Sequence, residues 1–207
     1  MQHKTQSGFS LIETLVAITI LLVVIVGPLS ITTTASRSSS FSSEQVTAFF
    51  LAQEGLELAQ KSRDDLLVPY FPPANANPDP WADFTRTTNA GVYKNCYIKD
   101  LNGNTINNGA GCDLTINGDS TGTLTITNCG NAGACQLYLD TTTAHARTRY
   151  THTSIGNTLT AFTRVITFEP VGADEVKITA KVTWRTGSIR QSQTVSTETR
   201  LFNMYGF

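Results

Sequence analysis

Residues 8–36 read GFSLIETLVAITILLVVIVGPLSITTTAS, and this stretch decides how the chain is organised. From Thr14 to Ser36 no residue is charged, and Leu, Ile, Val and Ala dominate these 23 positions. A helix needs about 20 such residues to cross the hydrocarbon of a bilayer, so the run is long enough to span one. A secretory signal peptide has a shorter apolar core with a small-residue cleavage site after it, and this run fits neither condition. Glu13 stands at the mouth of the run. A carboxylate on a membrane helix costs about 2.5–3.5 kcal/mol at mid-depth and less near the end, so on physical grounds alone Glu13 marks the membrane boundary. Gly27-Pro28 falls two-thirds of the way along, where proline removes a backbone hydrogen bond and predicts a kink.

Working outward, the pattern stays helical after the span. Phe41, Gln45, Phe49, Ala52, Leu56 and Ala59 recur at helical spacing, with Glu44, Glu54, Lys61 and Arg63 largely elsewhere. FFLAQEGLELAQKSRDDLL ends before Pro69, a stop signal. The serine-rich residues 36–43 are weak helix formers and predict fraying or a bend. A helix over residues 9–67 would run about 88 Å.

Residues 68–207 have another character. They hold most of the 32 threonines of the chain, which favours strands. The clearest strand is Glu175 to Arg185, where Val176, Ile178, Ala180, Val182 and Trp184 alternate with polar residues. Phe162, Ile166 and Phe168 share a face before it, and Pro170 to Asp174 supplies a turn. Thr186-Gly187-Ser188 turns into a polar edge strand through Ile189 to Leu201. Between 92 and 140, VYKNCYI, DLTI, TLTIT and QLYLD read as short strands, and Pro69 to Asp83 as a loop carrying Trp81. The predicted fold is α+β: a long N-terminal helix, transmembrane over about 14–36 and amphipathic beyond, packed against a C-terminal antiparallel sheet.

Composition narrows the function classes. Charged residues are 15% and hydrophobic residues 40%, which argues against wholesale disorder. The net charge of −1 does not mark a dedicated nucleic-acid binder, although a local patch is compatible with it. From residue 141 onward 8 Lys and Arg face 4 Asp and Glu, read as an ordinary solvated sheet face.

The string GFSLIETLVAITIL resembles the leader junction of type IV pilins and their pseudopilin relatives. Gly8, Phe9 and Glu13 occupy the positions of the leader's last glycine, the first mature residue and the fifth mature residue. The resemblance implies an eight-residue leader, residues 1–8, cut between Gly8 and Phe9 on the cytoplasmic side by a prepilin peptidase that also methylates the new amino terminus. It implies a mature helix over 9–67 and a head over 68–207. The expected partners are that peptidase/methyltransferase, other pilin subunits in a filament, and inner-membrane lipid before assembly. The expected location is a bacterial inner membrane, single-pass with the head outside the cytoplasm, and then a filament. The stretch LAQEGLELAQKSRDDL and the placing of Phe162, Arg164 and Trp184 are similar to minor pilins. A minor pseudopilin of a secretion system, or an anchored adhesin or DNA-uptake module, are the alternatives.

Glu13 then acquires a second reading. Cleavage leaves Phe9 with a cationic amine at the end of an apolar helix. Amine and carboxylate buried together in a helix bundle form a charge pair that sets stagger between neighbours.

The remaining chemistry is sparse. Cys96, Cys112, Cys129 and Cys135 in an exported β-rich segment predict two disulfides, for which three connectivities exist. Cys96–Cys112 with Cys129–Cys135 is preferred because both close short loops. No two are two to four residues apart, so zinc is not expected. Asp100-Leu-Asn-Gly-Asn104 resembles the start of a calcium loop, but the glutamate due eleven residues on is Gly111, and an Asn-Gly turn is the better reading. His145 and His152 read as solvated loop residues. There is no nucleophile elbow, phosphate loop or metalloprotease helix, so a structural protein without cofactor or metal is expected, not an enzyme.

Overall fold

The computed structural model describes residues 10–68, 79–87, 91–116, 122–141, 149–185 and 191–204. Gly8, Phe9, His145, most of the Pro69–Asp83 connector and the Thr186-Gly187-Ser188 turn lie outside them. The chain forms two compact units that divide at Ser43/Glu44.

Helix α1, Leu11–Leu67, contributes to both units. In the first unit every described residue from Ser10 to Ser40 is exposed. The helix is continuous through Gly27 and Pro28 and through residues 36–43. Hydroxyls bonding back to carbonyls accompany the continuation: Thr32 donates to Pro28 at 2.8 Å, Thr34 to Ser30 at 3.0 Å and Ser42 to Ser38 at 2.9 Å.

The second unit pairs residues 44–67 of α1 with a seven-stranded sheet. Strands β1 (Cys112–Ile116), β2 (Leu124–Asn128), β3 (Gln136–Asp140), β4 (Arg149–Thr151), β5 (Thr158–Pro170), β6 (Glu175–Trp184) and β7 (Gln193–Phe202) are all antiparallel to their neighbours. The long β5 organises them. One edge pairs with β6 from Thr163↔Thr183 to Pro170↔Val176. The other is shared, with β3 along the first half and β1 at Ile166. β2 lies outside β1, β4 outside β3 and β7 outside β6. The alternation in β6 is as the sequence reads: Val176, Ile178, Ala180, Val182 and Trp184 are all buried.

Two expected elements differ. VYKNCYI is not a strand; Lys94–Cys96 is a 3-10 turn, and Tyr97 makes only an isolated bridge to Phe168. Its aromatic residues turn inward with Phe84 and Phe168 instead of alternating. The connector carries a short helix α2, Pro80–Thr85, whose first turn is capped by the Asp79 carboxylate accepting from the Ala82 N–H at 2.9 Å. Trp81 and Phe84 from α2 are buried against this aromatic cluster, and Trp81 Nε1 donates to the Ala173 carbonyl at 2.6 Å.

Candidate functional site

The first candidate is the start of α1. Glu13 lies in the first turn, where the Glu13 N–H donates to the Ser10 carbonyl at 3.0 Å. A carboxylate there complements the positive end of the helix dipole. Around and beyond it the side chains are apolar on every side, from Leu11 and Ile12 through Leu29 and Ile31, and all are exposed. The best window has a mean hydropathy of 2.6 with none of it buried, so the helix is long and apolar enough to cross a membrane. A helix that is hydrophobic all round has to be buried in lipid or against other helices.

The second candidate is the join between α1 and the sheet. The buried stripe runs Ala48, Leu51, Ala52, Gly55, Leu58, Ala59 and Ser62. The expected stripe shares Ala52 and Ala59, but Gln45 and Phe49 are exposed and Leu56 is only half-buried. The buried face interleaves Leu51 and Leu58 with small residues where helix and sheet approach closely. Gly55 shows this directly: an added Cβ would lie 3.2 Å from Arg164 Cδ and 3.3 Å from both Ala180 Cβ and Ile166 Cδ1.

At this join lies a buried charge cluster that the sequence reading did not assemble. Arg164 follows Phe162 on the inward face of β5 and is fully buried. Its Nε donates to Asp113 Oδ1 at 2.7 Å and its Nη2 to the Leu114 carbonyl at 2.7 Å, both on β1. Nη1 reaches α1, donating to Glu54 Oε2 at 2.7 Å and to the Leu51 carbonyl at 3.1 Å. Burial works against the charge on Arg164, but Asp113 and then Glu54 outweigh it and hold the guanidinium pKa above its ordinary value. A paired guanidinium on the helix-facing side thus joins three elements. The signal was in the alternation of Phe162, Arg164, Ile166 and Phe168, because a charge at an apolar position needs a buried partner.

His152, just past β4, is not solvated. It approaches Asp113 Oδ2 to 3.0 Å through Nε2, without hydrogen-bond alignment, and its Nδ1 lies 3.0 Å from the Gln136 carbonyl. Tyr150 on β4 lines an open groove with Thr47, Phe50, Leu51 and Glu54. Burial, and then Glu54, raise the pKa of its hydroxyl. At the other end of the join, the Tyr93 hydroxyl is pushed up to about 12, chiefly by burial and then by Asp65, against a hydrogen bond with Ser62.

The cysteines are joined Cys96–Cys112 and Cys129–Cys135. The first ties the Lys94–Cys96 turn to the start of β1; the second closes the turn between β2 and β3. Gly111, at positive φ just before Cys112, lets the backbone pass β5, since a Cβ there would stand 2.7 Å from the Ile166 carbonyl. Asp100 caps its own turn: Oδ1 accepts from the Asn102 and Asn104 N–H groups at 2.9 and 2.8 Å. The Asn104 side-chain amide donates to Oδ2 at 3.0 Å, and that bond first, then the backbone N–H of Asn104, holds the Asp100 carboxyl pKa below its ordinary value. Among the described residues no cluster of His, Cys, Asp and Glu is arranged for a metal.

Residues 3–27 match the family model for the prokaryotic N-terminal methylation motif. The match covers the anchor region and leaves the head outside it. No curated protein and no solved structure matches the chain.

Proposed function

We propose that this chain, whose residues 3–27 carry the leader signature of type IV pilins, is a minor pilin within the broader group of type IV pilin-like and pseudopilin subunits. One observation supports the reading: the methylation motif over residues 3–27 overlaps the start of a long apolar helix whose most apolar window is not buried against any described residue. The motif points to a structural subunit processed by a prepilin peptidase and assembled with other pilins.

The proposed sequence of events follows from the chemistry. In the inner membrane, lipid covers the apolar part of α1 while the head lies outside the cytoplasm. Cleavage between Gly8 and Phe9 creates the amine, which is then methylated. Assembly moves the helix from lipid into a bundle, where Glu13 faces the amine of Phe9 or of a neighbour. The pair specifies stagger more than it adds stability. Gly27-Pro28 provides a weak point in the backbone ladder where the helix can adjust during that transfer. The head is displayed on the filament surface.

Intact-mass measurement on protein from its native membrane tests the reading. The expected mass corresponds to a chain starting at Phe9 with a methylated amine. A functional protein retaining Met1 to Gly8 would overturn it. A fibre that remains periplasmic, instead of shearing from cells, would move the assignment to the pseudopilins.

A further inference from the structure

On one side of β5 the sheet is split. β1 with β2, and β3 with β4, are two separate antiparallel pairs that share the same edge of β5, and among the described residues β1 pairs with neither β3 nor β4. Side chains cross this seam. At the start of β4, Arg149 Nη1 donates to the Ile116 carbonyl at the end of β1 at 3.3 Å. Just past the other end of β4, His152 reaches Asp113 on β1.

The His152 ring stands between two acceptors. Nδ1 lies 3.0 Å from the Gln136 carbonyl on β3, and Nε2 lies 3.0 Å from Asp113 Oδ2. The His152 side chain is only 10% exposed and that of Asp113 is fully buried. A neutral imidazole has one N–H and one lone pair. With the proton on Nδ1, the Nε2 lone pair faces a carboxylate oxygen. With the proton on Nε2, the Nδ1 lone pair faces a carbonyl. Only the imidazolium offers an N–H to both. Asp113 Oδ1 is already engaged by Arg164 and by the Leu114 N–H at 2.8 Å, whereas Oδ2 and Nε2 are both buried without an aligned hydrogen bond. A proton on Nε2, with a small turn of the ring, satisfies the two together.

The surrounding charges favour the same state. Asp113 from β1 and Glu54 from α1 share the one guanidinium of Arg164 from β5, which leaves one negative charge over. Arg149 on β4 and Asp140 on β3 pair with each other at 3.1 Å. Tyr150 on β4 stays neutral, because burial and then Glu54 raise its hydroxyl pKa.

We infer that His152 is a proton-dependent clasp across the seam: folding takes up a proton at this ring, and the imidazolium ties the β3–β4 pair to β1. A group that holds its proton more tightly in the folded state contributes fully below the ordinary imidazole value of about 6.5. That contribution is lost as pH rises and the folded ring releases the proton. Mild acid therefore closes the seam and alkali loosens it.

The test uses the full chain in detergent micelles. In H3Q/H145Q, His152 is the only histidine left, and nitrogen NMR of the labelled ring separates imidazolium, whose two nitrogens resonate close together, from the neutral ring, whose nitrogens lie far apart. At pH 7.5 the ratio of charged to neutral rings should be about tenfold above that of free imidazole. Urea unfolding of wild type and His152→Gln, followed by tryptophan fluorescence, gives the second readout. Between pH 5.5 and 8.5 the unfolding constant should rise about tenfold more in wild type than in the variant. The NMR arm leaves His152 in place, so it decides even if His152→Gln does not fold. A ring that releases its proton at or below about pH 6.5 overturns the inference, as does an equal pH dependence of unfolding in the two proteins.

Discussion

Residues 11–43 and residues 44–67 belong to one helix, yet their side chains meet opposite conditions. The first stretch is dominated by apolar residues as far as Ile31, with Glu13 its one charge, and is exposed from Leu11 to Ser40. The second buries Ala48, Ala52, Gly55 and Ala59 together with Leu51 and Leu58, packed on a sheet of the same chain. Among the described residues nothing covers the first stretch, and a helix apolar on all sides is at home in lipid or among other helices. The second is satisfied internally and fixes the head to the helix through Arg164, Asp113 and Glu54. Glu54 is already paired with Arg164, whereas under the proposed function Glu13 gains its partner only on assembly.

The sharpest test removes each partner in turn. Glu13→Ala should leave membrane insertion and cleavage intact, because loss of charge makes the segment more apolar. Filament incorporation should fall steeply, since an unpaired buried amine costs about 3–5 kcal/mol. Tagged subunit counted in sheared filaments and in membranes measures this; equal recovery in both would reduce Glu13 to a boundary residue. Arg164→Leu should do the reverse, sparing membrane insertion while destabilising the head. It leaves Asp113 buried without its main counter-charge, at about 3–5 kcal/mol. Unfolding followed by tryptophan fluorescence reads it, because Trp81 and Trp184 both lie in the second unit.

Disulfide removal separates the units further. Replacing Cys96 and Cys112 with serine should cost the head about 3 kcal/mol, and replacing Cys129 and Cys135 about 2 kcal/mol, since the second loop is shorter. Chemical denaturation of both double variants checks the order. Gly55→Val should push α1 off the sheet at a cost of about 1–3 kcal/mol, whereas Gly27→Val, with nothing within 4 Å of its Cβ, should leave head stability unchanged.

The smallest effect concerns acid. Lys177 and then Lys99 hydrogen-bond Glu169 and hold its carboxyl pKa below the ordinary value. A lowered folded-state pKa means a contribution complete above the unfolded value of about 4.3 and lost as pH falls through the folded value. The partners are partly exposed, so the contribution is about 0.2–1 kcal/mol. Glu169→Gln should lower stability at neutral pH by about that 0.2–1 kcal/mol, leave the fully acid region nearly unchanged, and so flatten the acid limb of a stability–pH curve below about pH 4.3.

The anchor was legible because its information is local. Twenty-three uncharged residues, a glycine at position 8 and a glutamate at 13 depend on no distant part of the chain. The same holds for β6, where strict alternation reports one wet face and one dry face. The elements that differed from expectation are those whose partners are far away in sequence. The inward face of α1 was placed on Phe49 and Leu56, but a helix lying close on a sheet buries Ala48, Ala52, Gly55 and Ala59, and size alone does not reveal that distance. VYKNCYI has strand composition, yet its aromatic residues meet Phe84 and Phe168, and a disulfide holds Cys96 to Cys112. His152 reads as solvent-facing until the fold brings Asp113 beside it. Sequence alone determined that the chain has an apolar helical anchor ahead of a β-rich head, because hydrophobicity and periodicity act on neighbouring residues. Tertiary structure decided which residues of α1 face the sheet and which charges are buried together, because those depend on the spacing between surfaces built from segments 51 to 110 residues apart.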